Sequence, residues 1–224
     1  MGSKNKLKRF EENKSFKNVI QPARTILEKD AFELKGYWQV KYFKNDHPII
    51  LELGCGKGEY TLHLATQNPD KNFIGIDIKG SRFWRGAKTA LEKNLENIAF
   101  VRAQIKMIDT IFSAEEVAEI WITFPDPQIK LKRSKHRLIH PEFLNLYRQI
   151  LKTEGNVHLK TDSEFLYGYT LGLMHSPAYR LRYSHHDIYN NLNAPRSAVA
   201  VQTFYENIFL EQNKPITYIQ FQFS

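Results

Sequence analysis

The chain has 224 residues, of which 42% are hydrophobic and 13% aromatic; this composition can bury one core and excludes a disordered protein. A formal net charge of +8 and a pI near 9.4 indicate an acidic partner, nucleic acid above all, unless the charge serves only solubility. The single cysteine, Cys55, excludes an internal disulfide, and no apolar stretch reaches the length of a membrane span, so the composition predicts a cytoplasmic protein with no membrane segment.

The chain opens with a basic arm at about residues 1–20. Residues 4–17 include six Lys or Arg side chains against two acids, Glu11 and Glu12. Such an arm is either solvated or frayed, or it is laid on phosphates, and these interpretations stay open. The aromatic-rich segment 29–44 is expected to pack over the sheet before its first strand. No linker, repeat or low-complexity segment divides the chain, so residues 1–224 are predicted to form a single domain.

A strand, a glycine-rich turn and a helix begin at residue 49. The run Ile49–Leu53 is apolar and β-branched, as is typical of a buried parallel strand, and residues 59–65 have helical spacing. The turn between them holds Gly54, Gly56 and Gly58. A dinucleotide fingerprint would place its third glycine at position 59, where this chain has Glu59.

An acid stands two residues before the first glycine of this turn. The carboxylate of Glu52 is a poor neighbour for a pyrophosphate and a good one for a cation. The pattern acidic-x-Gly-x-Gly-x-Gly resembles motif I of the class I S-adenosylmethionine-dependent methyltransferases, whose cofactor is cationic. A tight turn without a ligand is the alternative, but the strand and the acid favour a cofactor loop. Cys55 is expected to be a small filler residue in this loop.

Predicted strands and helices then alternate, which indicates a mostly parallel sheet. The predicted strands are 49–53, 72–78, 98–103, 119–124, 155–160, 179–184 and 217–223. The predicted helices are 59–65, 82–94, 141–153 and 163–175. No full-length helix precedes the last strand, so that strand is expected to run antiparallel. The fold class is therefore α/β, a Rossmann-like class I methyltransferase with a mostly parallel seven-stranded sheet, helices on both faces and an antiparallel terminal strand.

Ligands on such sheets bind beyond the carboxyl ends of the strands. Asp77 ends the second predicted strand about 20 residues after the glycines, where an acid commonly binds ribose hydroxyls. A helix cap is the alternative role for this residue. Gln104 follows the third strand and could hydrogen-bond an adenine edge.

The fourth predicted strand ends in Phe124-Pro-Asp-Pro, where two prolines hold the carboxylate of Asp126 at the sheet edge. In residues 130–137, five of the eight positions are Lys or Arg and none is acidic. Elsewhere this run would be a solvated loop, but beside a cofactor pocket it predicts a phosphate-binding rim for a nucleic acid. The rim residues are Lys132, Arg133, Lys135 and Arg137.

Four motifs together resemble the tRNA (guanine-N7-)-methyltransferases. In chain order they are the glycine loop with its acid, Phe124-Pro-Asp-Pro with the basic run, Lys160-Thr-Asp, and Thr203-Phe-Tyr-Glu. They span about residues 49–209, most of the chain. The resemblance implies methyl transfer from S-adenosylmethionine to N7 of a guanine in the variable loop of tRNA. The chain departs from the family at Gln128-Ile129, where Trp-Pro is usual, and at Gln104, where Asn or Asp is common.

The resemblance also assigns roles to individual residues. It places Glu52, Gly54, Gly56, Gly58, Asp77, Gln104 and Asp126 in the cofactor pocket. It assigns the substrate to Lys130, Asp162, Thr203, Phe204, Tyr205 and Glu206. Asp126 is the proposed catalytic residue, although either Asp126 or Asp162 could stabilise the positive charge that develops on the purine.

The residues support two rival functions and a metal site less well. A small-molecule methyltransferase would share the glycine loop without needing the basic run, and a non-catalytic RNA-binding protein would keep the run and lose the cofactor. His185 and His186 could suggest a metal, but adjacent residues on a strand point to opposite faces, and no Cys/His cluster with ligand spacing accompanies them. The sequence therefore predicts tRNA as partner and no metal.

Overall fold

The computed structural model describes residues 3–224, and its centre is one eight-stranded sheet. The strands are β1 Val19–Ile20, β2 Ile49–Leu53, β3 Asn72–Ile76, β4 Ile98–Val101, β5 Val117–Thr123, β6 Leu151–Thr161, β7 Tyr179–His185 and β8 Thr217–Phe223. Their order across the sheet is β1-β4-β3-β2-β5-β6-β8-β7. The strand β8 runs antiparallel to both of its neighbours, and the other pairs are parallel.

All seven predicted strands are present, and the antiparallel direction of the terminal strand is confirmed. The eighth strand, β1, lies within the predicted arm and pairs with the outer edge of β4. The strand predicted from residue 155 begins earlier, at Leu151, which pairs with Val117. The register then shifts, and Glu154 adopts a left-handed φ of 64°, so this irregular start has no regular alternation that the sequence could reveal.

Helices cover both faces of the sheet, as predicted. They are α1 Ser3–Ser15, α2 Arg24–Glu28, α3 Glu59–Gln67, α4 Gly80–Glu92, α5 Pro141–Ile150, α6 Glu164–Met174, α7 Arg196–Val199 and α8 Phe204–Glu211. Alternate residues of β2 face opposite sides: Leu51 packs in the core shared with α5 and α6, and Ile50 in the core shared with α3 and α4. Within residues 3–224, no helix is both long and apolar enough to span a bilayer.

The aromatic-rich segment before β2 packs on the sheet, as expected. Trp38 is fully buried and lies in the same core as Leu51. Its indole N–H donates to the carbonyl of Ile111 at 3.1 Å, and its ring stacks on Phe112 with centroids 5.5 Å apart. This anchor fixes the chain that leads into β2.

The basic arm is ordered as α1, which packs against α4. Asn13 is fully buried, and its Nδ2 donates to the carbonyl of Gly80 at 2.9 Å. The indole N–H of Trp84 donates to Glu12 at 2.6 Å. The interpretation of a frayed arm is therefore wrong for residues 5–15, while residues 1 and 2 and the side chain of Lys4 lie outside the described part of the chain. Two polar residues, Glu12 and Asn13, make this docking possible, and neither contributes to an apolar stripe that the sequence could show.

A buried ion pair anchors the C-terminal segment to the sheet. Lys160, on β6, and Glu206, on α8, are both fully buried, and Nζ lies 2.6 Å from Oε1. Lys160 also donates to the carbonyl of Val201 at 3.0 Å, and the hydroxyl of Tyr189 donates to Glu206 at 2.6 Å. Burial lowers the pKa of Lys160, and the Glu206 carboxylate opposes that shift. This buried charged contact therefore helps to hold α8 beside the strand ends.

We predict that Lys160→Met destabilises the protein by roughly 3–5 kcal/mol, because it leaves the Glu206 carboxylate buried without its cation. Urea unfolding at pH 7 measures the change. Lys152→Met is the matched control, since Lys152 lies exposed on the same strand and should lose less than about 0.5 kcal/mol. A loss below about 1 kcal/mol for Lys160→Met would mean that the ion pair does not hold α8.

Candidate active site

The strand order reverses between β2 and β5, and the structure opens a cavity at this point. From β2 the chain builds outward through β3 and β4, and β5 then starts the other half of the sheet. In open α/β sheets the crevice at such a reversal is where ligands bind. The carboxyl ends of β2 and β5 line a cavity of about 110 Å³, whose walls include Glu52, Gly54, Gly56, Thr123, Phe124 and Tyr205.

The three glycines of the loop have different roles. All three have left-handed φ angles, of 74°, 55° and 72° for Gly54, Gly56 and Gly58. A Cβ on Gly58 would lie 2.5 Å from the ring of Phe100, so this glycine is required for packing. A Cβ on Gly56 would meet nothing nearer than the carbonyl oxygen of Gly54 at 3.9 Å. Gly56 therefore leaves open the space that a ligand can occupy.

Glu52 links three elements beneath this loop and is only 4% exposed. Its Oε2 accepts from the backbone N–H of Thr61 at 2.8 Å and from the Thr61 hydroxyl, and its Oε1 accepts from the hydroxyl of Thr123 at 2.7 Å. Burial raises the pKa of Glu52 to about 7. A cation in the cavity would favour the ionised form, whereas a pyrophosphate would oppose it. This carboxylate fits the cationic group of S-adenosylmethionine.

Asp77 joins the glycine loop to the start of α4. Its Oδ2 accepts from the backbone N–H of Gly56 at 3.1 Å, and its Oδ1 accepts from the backbone N–H of Lys79 at 2.7 Å. Lys79 is the N-cap of α4, and no side chain caps it, so Asp77 is not the helix cap that the alternative role required. Its contact with Lys79 is a local turn before the helix, and its contact with Gly56 orients the loop. Ribose binding by the same carboxylate stays a prediction.

Gln104 does not line the cavity at the glycine loop. It borders a second cavity of about 360 Å³, together with Ile78, Ala103 and Met107, at the ends of β3 and β4. A volume of 110 Å³ is too small for a nucleoside joined to an amino acid, since drug-sized ligands fill roughly 300–1,000 Å³. A ligand of that size fits along the sheet edge if it runs from the glycine loop past Asp77 toward Gln104.

In the loop after β5, a residue on each side of Asp126 has left-handed backbone angles, and these angles give the loop its shape. Phe124 and Gln128 each have a φ of 47°, a conformation that non-glycine residues adopt at a cost of about 1–3 kcal/mol. The backbone N–H of Phe124 donates to the carbonyl of Lys160 at 2.8 Å. Asp126 is exposed two residues after Phe124, which lines the cavity, and its Oδ1 accepts from the backbone N–H of Gln128 at 3.0 Å. The carboxylate is thus oriented by its own turn as well as by the two prolines.

Asp162 lies at the carboxyl end of the adjacent strand. In the sheet, Lys160 pairs with Thr123, so the segments that follow β5 and β6 emerge side by side. Asp162 is half-buried between the end of β6 and Ser163, which caps α6 by accepting from the N–H of Leu166. The structure therefore brings Asp126 and Asp162 to the same edge.

The segment 203–206 covers the glycine loop. Thr203 caps α8, and the exposed rings of Phe204 and Tyr205 follow it. The backbone N–H of Phe204 donates to Glu59 at 3.0 Å, and the ammonium group of Lys57 lies 3.7 Å from the centre of the Phe204 ring. Thr203 and Tyr205 line the cavity with the glycine loop.

Glu206 does not face the cavity. It is fully buried in its pair with Lys160, and its Oε2 accepts from the backbone N–H of Thr203 in a capping box. The prediction of a direct substrate contact is therefore wrong for Glu206 in this conformation. Its carboxylate positions Thr203 and the two aromatic rings instead.

The basic run contains a short 3₁₀ helix, Leu131–His136. Lys130, Lys132, Arg133 and Lys135 are exposed, and none of them forms an ion pair with another described residue. These four side chains are free to meet phosphates. They stand on the β5 side of the glycine loop.

Arg137 differs from the rest of the run and is only 4% exposed. Its guanidinium donates to the carbonyl of Gln128 at 3.2 Å, and it lies 4.5 Å from the ring of Tyr169 and 4.8 Å from that of Phe165. The prediction of a phosphate contact is wrong for Arg137. It fastens the Pro-Asp-Pro loop to α6.

The cavity wall also contains four residues to which the sequence assigned no role. Lys57, Glu59, Tyr60 and Arg82 all line it. Lys57 stands between two loop glycines, which was a usable signal. Arg82 lies in the first turn of α4. Its position in the sequence does not show that its side chain faces this cavity.

No group of three or more His, Cys, Asp or Glu side chains in the described chain is arranged to hold a metal ion. The rings of His185 and His186 stack with centroids 4.9 Å apart and 22° between their planes. The expectation that they point to opposite faces is therefore wrong, because β7 ends at His185 and strand alternation stops there. The pair stacks at the end of the strand.

The chain resembles known proteins along most of its length. A family model described as a putative methyltransferase matches residues 46–219. The tRNA (guanine-N(7)-)-methyltransferase of Christiangramia forsetii is 64% identical over 222 residues, which cover 99% of each chain. The protein of the same name from Porphyromonas gingivalis is 45% identical over 209 residues, covering 92% of this chain and 85% of that protein.

Solved structures share the fold at low sequence identity. The 16S rRNA methyltransferase KamB aligns with a TM-score of 0.62 and 13% identity, covering 90% of this chain and 94% of that one. A 30S ribosomal A1408 methyltransferase from an uncultured bacterium aligns with a TM-score of 0.58 and 14% identity, covering 86% and 96%. The family model and the near full-length relatives together show that this chain belongs to the S-adenosylmethionine-dependent tRNA (guanine-N7-)-methyltransferases.

Proposed function

We propose that this protein transfers the methyl group of S-adenosylmethionine to N7 of a guanine in the variable loop of tRNA. The observation that carries the proposal is the cavity at the strand reversal, together with four exposed basic side chains on the segment that follows its wall residue Phe124. None of these four, Lys130, Lys132, Arg133 and Lys135, forms an ion pair with another described residue. The relatives' names supply the substrate, the atom and the base. A tRNA substrate also supports a cytoplasmic location.

The residues at the sheet edge fit the cofactor. The open space over Gly56 admits the ligand to the main chain, and the buried Glu52 carboxylate favours a nearby cation. We assign the ribose to Asp77 and the adenine to the cavity beside Gln104. The three loop glycines, with Glu52 below them, complete this site.

When bound, S-adenosylmethionine supplies an electrophilic methyl group attached to a cationic sulfur. N7 of guanine carries a free lone pair, so no side chain has to remove a proton from the attacking atom. The protein's task is to hold the lone pair in line with the methyl group, and such positioning can lower a barrier by roughly 7–11 kcal/mol. Thr203, Phe204 and Tyr205, placed over the glycine loop, are suited to orient the base.

The purine becomes positively charged as the new bond forms. The exposed carboxylate of Asp126 lies two residues beyond Phe124, which lines the cavity, and it accepts from the backbone N–H of Gln128. We propose that it stabilises this charge, or accepts the N1 and N2 donors of the guanine, with Asp162 on the next strand as the alternative. Lys130, Lys132, Arg133 and Lys135 would hold the phosphates on the same side.

Methyl transfer with labelled S-adenosylmethionine tests the proposal, with unmodified bulk tRNA and a panel of small methyl acceptors offered in parallel. We expect label in tRNA alone. Label in a small acceptor alone would favour a small-molecule methyltransferase. Binding of tRNA without transfer or cofactor affinity would favour a non-catalytic RNA-binding protein.

Gly56→Asn should abolish cofactor binding while the protein stays folded. Asn tolerates the left-handed φ of 55°, and its side chain would enter the open space over the loop. Isothermal calorimetry measures the affinity for S-adenosylmethionine. Wild-type affinity in a folded Gly56→Asn protein would contradict the assignment of this loop to the cofactor.

The triple variant Lys132→Ala, Arg133→Ala and Lys135→Ala should weaken tRNA binding and flatten its salt dependence. Losing three phosphate contacts lowers the slope of log K against log salt by roughly 2–3. Fluorescence anisotropy of labelled tRNA over a range of KCl concentrations gives the slope, and cofactor affinity should stay unchanged. A slope equal to the wild-type value would place these side chains away from the RNA.

Asp126→Asn should slow methyl transfer by about 10²–10³-fold, because one preorganised negative charge is lost. The Asn oxygen can still accept from the N–H of Gln128, so the turn is retained. Single-turnover transfer with saturating cofactor and tRNA isolates the chemical step. Asp70→Asn is the matched control, since Asp70 is exposed in the loop between α3 and β3. A rate for Asp126→Asn within a few-fold of the control would transfer the role to Asp162 or to positioning alone.

A further inference from the structure

A larger cavity, of about 550 Å³, lies between α1 and α4 and opens at the glycine loop. Its walls carry Lys6 and Arg9 from α1, Arg82 and Arg85 from α4, and Lys57 and Tyr205 from the loop and α8. Five of these six side chains are cationic. The one acid in the wall, Glu59, already accepts the backbone N–H of Phe204 and lies 3.9 Å from Lys57.

Four of the five cations of this cleft have no acidic partner in the part of the chain that the structure describes. Among the described residues, none of Lys6, Arg9, Arg82 and Arg85 forms an ion pair. Like charges that face one cavity raise its potential, and low-dielectric walls focus that potential on an anion. The cleft is therefore electrostatically prepared for a negatively charged ligand.

Three cations, two of them from the cleft wall, lie around the ring of Trp84 on α4. The guanidinium groups of Arg9 and Arg85 lie 4.8 Å and 5.1 Å from the ring centre, and the ammonium group of Lys88 lies at 5.2 Å. The indole N–H is held by Glu12, which fixes the ring against α1. The ring attracts each cation, but the cations repel one another, and a bound anion would relieve that repulsion.

The cleft is continuous with the proposed active site. The two cavities share Gly56, Lys57, Glu59, Arg82 and Tyr205 in their walls. An anion in the cleft would therefore lie next to the reacting groups. An extended polyanion fits this arrangement better than an isolated phosphate, because the charges continue from the loop along α4 and α1.

We propose that the cleft between α1 and α4 binds the phosphodiester backbone of the substrate RNA. This inference rests on the proposed function and adds a second phosphate-binding surface to it. The basic run follows β5, and the cleft follows β3. The RNA is then held on both flanks of the glycine loop, and the N-terminal helix takes part in substrate binding.

The test compares two charge-matched double variants. Arg9→Gln with Arg85→Gln removes two cations from the cleft, and Lys93→Gln with Lys152→Gln removes two exposed lysines at the far end of α4 and the start of β6. Anisotropy of a labelled tRNA transcript is measured from 50 to 300 mM KCl. We expect the cleft variant to bind roughly tenfold more weakly at the lowest salt and to lose about 1.4–1.8 from the salt slope, with little change in the control.

Calorimetry with S-adenosylmethionine and circular dichroism accompany the measurement. Unchanged cofactor affinity and helix content in the cleft variant locate the effect in RNA binding. If that variant is destabilised, Lys6→Glu tests the inference instead, because Lys6 is exposed and forms no ion pair with another described residue. This variant should weaken tRNA binding and flatten the salt slope.

The outcomes separate this inference from the proposed function. If wild-type protein methylates tRNA but the cleft variants bind it with the wild-type salt slope, the cleft does not hold RNA and only this inference falls. If wild-type protein binds tRNA through the cleft without methylating guanine, the inference stands and the proposed function falls. Equal weakening in the cleft and control variants would also overturn the inference, because it would reflect net charge alone.

Discussion

The carboxylate of Glu52 is the contact on which the arrangement of the site depends. It accepts hydrogen bonds from Thr61 on α3 and from Thr123 on β5, so it joins the two halves of the sheet where the strand order reverses. The same burial that makes this contact strong raises the pKa of the acid to about 7. The fold thus keeps an acid at the floor of the cavity that is ready to ionise beside a cation.

Strained backbone angles and buried charged residues hold the two segments beside Glu52, the loop of Asp126 and the segment of Tyr205. Phe124 and Gln128 hold left-handed angles on either side of Asp126, and Arg137 secures the carbonyl of Gln128 from below. On the opposite wall, the buried pair of Lys160 and Glu206 holds the segment that carries Tyr205. The loop of Asp126 and the segment of Tyr205 are therefore each supported by a buried charged residue, Arg137 and Glu206. Such support keeps a site in its productive geometry before the substrate arrives.

The sequence predicted the parts of this molecule that local pattern determines. Apolar runs and alternation located seven of the strands, and the spacing of Gly54, Gly56 and Gly58 located the turn between β2 and α3. The role of that turn in cofactor binding stays a prediction. The sequence could not assign Arg137 or Glu206, because the burial of a charged residue is decided by partners distant in the chain, Tyr169 and Lys160. The docking of α1 was also hidden, since it depends on the polar contacts of Glu12 and Asn13 with α4. The roles proposed for Asp126, Asp162 and the exposed lysines stay predictions.

Mapping the methylated atom in tRNA tests the central claim most directly. Unmodified tRNA is incubated with the protein and S-adenosylmethionine, and the RNA is then cleaved chemically at N7-methylguanine and sequenced. The account predicts one new cleavage, at a guanine of the variable loop, that depends on the cofactor. Methyl groups at another atom or another base, or no methylated guanine with active cofactor-bound protein, would contradict it.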